Sequence, residues 1–127
     1  MRFRSASGAS WRNNGVYLQN GYASKLDYPL HTDSVERAAD KFLQLQKTYL
    51  EGKAEHVYYA LIPDKNYFMA PAGGYPALDY EKLAQTMRQK LSPGMTEIDL
   101  FSTLSLDCYY RTDPHWRQEA LVPTAQY

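Results

Sequence analysis

The sequence predicts an α/β layered domain, a small parallel sheet with helices packed on it and an N-terminal β-hairpin. Three observations lead there. Residues 57–62 (VYYALI) form an unbroken apolar run of β-branched and aromatic side chains, the pattern of a strand covered on both faces. Residues 33–50 and 79–91, flanking that run, carry apolar side chains at helical spacing. Residues 96–101 (TEIDLF) supply a second strand, so helices alternate with strands as a right-handed crossover requires.

Each element has a local reason. Residues 1–13 are small, polar and aperiodic, and are expected to form a flexible segment ahead of a domain spanning 14–127. Within residues 15–26 (GVYLQNGYASKL), Asn20-Gly21 predicts a tight hairpin, because both turn positions tolerate positive φ. Residues 27–32 read as a loop. In the first helix Asp33 is the expected cap, with Glu36 reaching back. Val35, Ala38, Ala39, Phe42, Leu45, Tyr49 and Leu50 make its apolar face, and Gly52 suits a left-handed C-cap. Pro63 ends the first strand, and residues 64–76 read as a long loop at its carboxyl end. The second helix turns Leu83, Ala84, Met87 and Leu91 inward and stops at Ser-Pro-Gly. After residues 96–101 come a loop over 102–116 and a helix stub that soon meets Pro123. Two crossover strands make a narrow sheet for so apolar a first strand, so the chain reads as part of a larger domain.

Composition excludes several functions. At 127 residues the chain suits one domain with a real core. Its 14 basic and 14 acidic residues cancel and alternate finely, which argues against nucleic acid as a partner and against a charged tail. Cys108 is the only cysteine, so neither an internal disulfide nor a thiolate zinc site can form, and a small buried role is expected for it. His31 and His56 offer no ligand spacing to His115, so no metal is expected. The first residues have no apolar stretch behind their arginines, and no run approaches the roughly 20 residues of a membrane helix. The twelve tyrosines are scattered, as half-buried packing residues would be.

Working residues of open α/β sheets gather on loops at the carboxyl ends of strands. Here those loops are residues 63–68 (PDKNYF) and 109–116 (YYRTDPHW), which lie side by side if the strands are parallel neighbours. Asp64, Lys65 and Asn66 would then approach Asp113 and His115. A histidine acting as general base needs a partner that fixes its tautomer and stabilises the imidazolium. Asp113, two residues away across the stiff Pro114, can do this. Spacing of this kind is more often a turn whose aspartate accepts backbone hydrogen bonds. Trp116 is placed to pack on the imidazole and limit solvent access. Lys65 and Asn66 suit either closure of the strand end or substrate contact. Arg111 suits either pairing with a carboxylate or clamping one on a substrate.

The stretch YYRTDPHW resembles the signature of the DHHW family of bacterial proteins, a branch of the SGNH-hydrolase-like superfamily related in pattern to proteins that O-acetylate alginate. NNGVYLQNGY, ALIPDKNYF, LDY and IDLF are similar to stations of that family in the same order, so the resemblance covers most of residues 14–122. Pro114 stands where the family name implies the first histidine; the base is thought to be the second, whose place His115 keeps. The resemblance implies an incomplete SGNH/flavodoxin-like domain in which Asp113 and His115 are acid and base of a Ser-His-Asp triad. Lys65, Asn66, Tyr110, Arg111 and Trp116 would face the substrate. In this branch the serine follows the pair, yet no serine follows Trp116, and Ser5, Ser7, Ser10, Ser34, Ser102 and Ser105 lack a nucleophile-elbow context. The nucleophile is therefore expected outside this sequence. The implied activity is acyl transfer or esterase chemistry on O-acetyl groups of cell-envelope polysaccharide, without a cofactor. An extracytoplasmic location follows from the resemblance alone, with membrane association only through a segment absent here. The alternative is a non-catalytic glycan-binding or scaffolding module with Tyr109, Tyr110 and Trp116 as its aromatic rim.

Overall fold

The computed structural model describes residues 9–13 and 15–127, and its architecture is mixed α/β. Strands β1 (Ala9–Asn13), β2 (Val16–Gln19) and β3 (Tyr22–Lys25) form an antiparallel sheet in that order. The hairpin turn falls where expected: Asn20 and Gly21 both have positive φ, 50° and 81°. Part of the segment expected to be flexible is instead the edge strand β1, paired with β2 from Ala9↔Gln19 to Asn13↔Val16; residues 1–8 lie outside the described residues.

Helix α1 (Thr32–Leu45) continues into a π-helical turn over Gln46–Leu50, and the chain reverses at Gly52 with φ 72°. Its N-cap is His31, without a side-chain cap; Asp33 sits one residue inside the first turn, where its charge still complements the helix dipole. The expected apolar face is only half used. Val35, Ala39 and Leu43 pack against Leu83, Met87 and Leu91 of helix α3 (Tyr80–Leu91), whereas Phe42, Leu45, Tyr49 and Leu50 remain exposed. Lys90 ties α3 to α1 through Asp40 at 2.8 Å. Asp79 caps α3 by accepting from the Lys82 amide.

Strand β4 (Tyr58–Ala60) pairs in parallel with β5 (Thr96–Ile98), as the crossover requires. Covering of both faces does not occur. Tyr59 and Leu61 enter the α1–α3 core, while Tyr58 and Ile62 are more than half exposed on the other face. The helices thus occupy one side of a two-stranded sheet.

A second correction concerns residues 64–76. Helix α2 (Lys65–Gly73) occupies most of this stretch, capped by Asp64, whose Oδ1 accepts from the Tyr67 amide. The hairpin docks on it. Tyr17 stacks on Tyr75 with ring centroids 3.9 Å apart and donates its hydroxyl to Asn66 Oδ1 at 2.6 Å, with both residues fully buried. The approach is close at Gly73, where a Cβ would lie 2.2 Å from the Gln19 side-chain amide and 2.6 Å from the Tyr75 ring, so either would have to move for a larger residue. A second small core gathers Leu104, Cys108 and Tyr109 against Phe68, Leu100, Trp116 and Leu121. A short helix α4 (Val122–Gln126) closes the described chain. Among the described residues no helix is long and apolar enough to cross a membrane.

Candidate active site

The parallel pairing of β4 with β5 puts the α2 N-terminus beside the 109–116 loop. That loop is closed at its base: Tyr109 bridges Trp116, the Tyr110 amide donates to the His115 carbonyl at 3.1 Å, and the Arg117 amide to the Cys108 carbonyl at 2.7 Å. Tyr109 anchors it from below, buried, its hydroxyl donating to the Pro63 carbonyl. Burial pushes the Tyr109 phenol up to about 12.

At the loop tip Asp113 Oδ1 lies 2.5 Å from His115 Nδ1 and also accepts the His115 backbone amide at 2.8 Å. Both sequence readings are therefore present in one structure: the aspartate forms a local turn and also holds the imidazole. Donation from His115 holds the Asp113 carboxyl below the usual aspartate range, chiefly from the backbone amide and then from the ring, with a smaller contribution from the Lys65 cation. An imidazole that gives its Nδ1 hydrogen to a carboxylate keeps Nε2 free to accept a proton. The ring is 79% exposed, so substrate can reach it; Trp116 packs into the second core and does not shield it from water.

An open hollow of about 540 Å3 is lined by Tyr110, Asp113, His115, Trp116 and Gln118. Tyr110 and Trp116 are thus placed to meet a ligand beside the histidine. Tyr109 is not, because it is buried under the loop, and the expected three-membered aromatic rim reduces to two. Arg111 is exposed and lies over the Tyr22 ring, its guanidinium carbon 5.5 Å from the centroid; among the described residues no carboxylate forms an ion pair with it. Asn66 cannot touch a substrate here. It is fully buried, accepting from Tyr17 and donating to the Pro76 carbonyl at 3.3 Å. Lys65 is likewise 4% exposed, and its ammonium donates to the Tyr110 and Arg111 carbonyls at 3.0 and 3.2 Å. For both, closure of the strand end is the reading the contacts bear out.

Ser24 escaped the sequence reading. It is buried on β3 and lines a separate hollow of about 260 Å3 with Asp64, Lys65, Thr112 and Pro114. Its partner Tyr17 across the hairpin, in an alternating pattern, was the signal available. Among residues whose side chains are described, no serine hydroxyl hydrogen-bonds His115: Ser34 accepts from Arg37, Ser102 donates to the Asp99 carbonyl, and Ser105 contacts Cys108. Cys108 is buried, as expected of a small core residue. No group of three metal-ligating side chains occurs among the described residues.

Fold and loop together define a mixed α/β protein that displays a carboxylate-oriented histidine at the carboxyl end of its parallel strands. No protein-family model, curated protein or solved structure matches the chain.

Proposed function

We propose that the 109–116 loop carries the acid–base half of an SGNH-like serine acyltransferase or esterase acting on O-acetyl groups of cell-envelope polysaccharide. In this reading His115 Nε2 takes the proton of a serine hydroxyl supplied from outside this sequence. Asp113 orients the ring and stabilises the imidazolium, and the serine forms an acyl-enzyme that transfers to a sugar hydroxyl or to water. Tyr110, Arg111 and Trp116 meet the saccharide. An envelope location belongs to the same proposal. One observation carries the reading: the 2.5 Å contact of Asp113 with His115 Nδ1 on an exposed strand-end loop.

The test is acetyl-ester turnover by the natural polypeptide carrying this sequence. His115→Ala is expected to lower kcat by about 10²–10⁴, the usual worth of a general base. Unchanged turnover refutes the role. A second reading, saccharide binding without catalysis, is favoured by Tyr110 and Trp116 lining one hollow. It expects saccharide affinity that survives His115→Ala and fails on Trp116→Ala.

A further inference from the structure

We propose that Lys65 is the positioning residue of the dyad: from the start of α2 its ammonium holds the two carbonyls that begin the 109–116 loop, and with them the backbone that carries Asp113. The inference rests on the Asp113–His115 reading and gives Lys65 a task in it, through another residue and without touching substrate.

The placement is expensive, which is why it calls for a reason. Lysine is rarely buried, and an ammonium withdrawn from water loses hydration that its new partners must replace. Lys65 is 4% exposed. Among the described residues no carboxylate comes within ion-pair distance of it. Its bonds instead span 45 and 46 residues of sequence to the Tyr110 and Arg111 carbonyls. A neutral donor would satisfy two carbonyls as well, so the hydrogen bonds alone do not explain a cation.

What the cation does explain lies one step further along the loop. Lys65 and Asp113 act on each other electrostatically: desolvation lowers the Lys65 pKa and Asp113 opposes that, while Lys65 helps keep Asp113 ionised. Arg111 is held from the other side as well, since its carbonyl also accepts the Ala23 amide of β3 at 2.7 Å. The start of the loop is therefore gripped between hairpin and helix, while its tip is exposed and held by the Asp113 carboxylate and by the Tyr110 amide on the His115 carbonyl. Fixing the start fixes where Asp113 presents its oxygen, and a carboxylate kept charged and in place keeps the His115 proton on Nδ1.

The experiment reads that proton directly. Two-bond ¹H–¹⁵N correlation spectra of the intact chain report which nitrogen of neutral His115 is protonated. Wild type is expected in the Nδ1–H form and Asp113→Asn in the Nε2–H form; a wild type already in the Nε2–H form would overturn the dyad reading itself. Lys65→Met is expected to shift His115 toward Nε2–H while still melting cooperatively, an effect that lost stability alone would not produce. Lys65→Gln, whose amide is one atom too short to reach both carbonyls, carries the test if Lys65→Met does not fold, with the same expected shift. His115 remaining in the Nδ1–H form in the folded Lys65 variant, beside a responsive Asp113→Asn, overturns the inference and leaves the dyad standing. Amine acylation read by mass spectrometry is the check free of variants: Lys65 is expected to label far more slowly than exposed Lys47 and Lys82. Equal labelling overturns the clamp.

Discussion

Replacing Tyr17 by phenylalanine removes one oxygen from a fully buried hydrogen bond and leaves the ring on its Tyr75 stack, so no cavity opens. The loss falls on Asn66, whose Oδ1 keeps no donor at 2.6 Å while its amide nitrogen still serves the Pro76 carbonyl. An acceptor stranded in this way costs about 1–3 kcal/mol. With unfolding entropy near 2.1 cal/mol/K per residue, a chain of 127 residues loses about 4 °C of Tm for each kcal/mol. Tyr17→Phe is therefore expected to melt about 4–11 °C lower, and its urea midpoint should fall with the m-value unchanged. The bond matters beyond stability because it is where the hairpin grips α2, the helix that begins with Lys65. A melting point within about 1 °C of wild type would refute the claim that this hydroxyl and amide are each other's buried partner.

Other consequences follow from the same packing. Leu91 is fully buried between α1 and α3, so Leu91→Ala is expected to cost about 2–5 kcal/mol by calorimetry. Tyr17 and Tyr109 are both pushed up to about 12 by burial, so the folded state binds their protons more tightly than the unfolded one. Their contribution is complete below the ordinary tyrosine pKa of about 10 and is lost as pH rises from there through about 12; alkaline unfolding should coincide with phenolate absorbance. Asp113 runs the other way. Its folded pKa is depressed, so closure of the loop tip is present above the ordinary aspartate range and lost as pH falls through the lowered value, which the His115 amide shift should track.

Local chemistry was legible in the sequence. Asn20-Gly21 and Gly52 act where the turn and reversal rules put them, because each acts within a few residues of itself, whereas the cap expected of Asp33 does not form and His31 takes the N-cap position. The parallel pairing of β4 and β5 was legible too, since a helix-containing crossover leaves few other topologies. Legibility ended where burial depends on distant segments. The apolar run around β4 was read as covered twice, yet helices cover only the Tyr59 face, and no hydropathy pattern states how many layers a sheet will receive. Residues 64–76 were read as a long loop following the strand that Pro63 ends, although Pro71, Gly73 and Gly74 lie within a helix and its cap. Proline in the helix and glycine at its end are tolerated here: α2 is capped at Asp64 and stops on Gly74 with φ 66°, a left-handed C-cap.

The site divides along the same line. Asp113 and His115 are two residues apart, and what one does to the other could be worked out from a short proline-stiffened loop. For Lys65 and Asn66 the sequence left two roles open, closure of the strand end and substrate contact. Both point inward, and each is explained by a partner far along the chain: Tyr17 for Asn66, and the Tyr110 and Arg111 carbonyls for Lys65. A polar residue that closes the end of a strand and one that touches substrate draw on the same chemistry and the same place in the fold. Only burial separates them. At this strand end burial places the helix residues under the loop, and leaves Tyr110, Arg111, Trp116 and the exposed His115 ring at the surface.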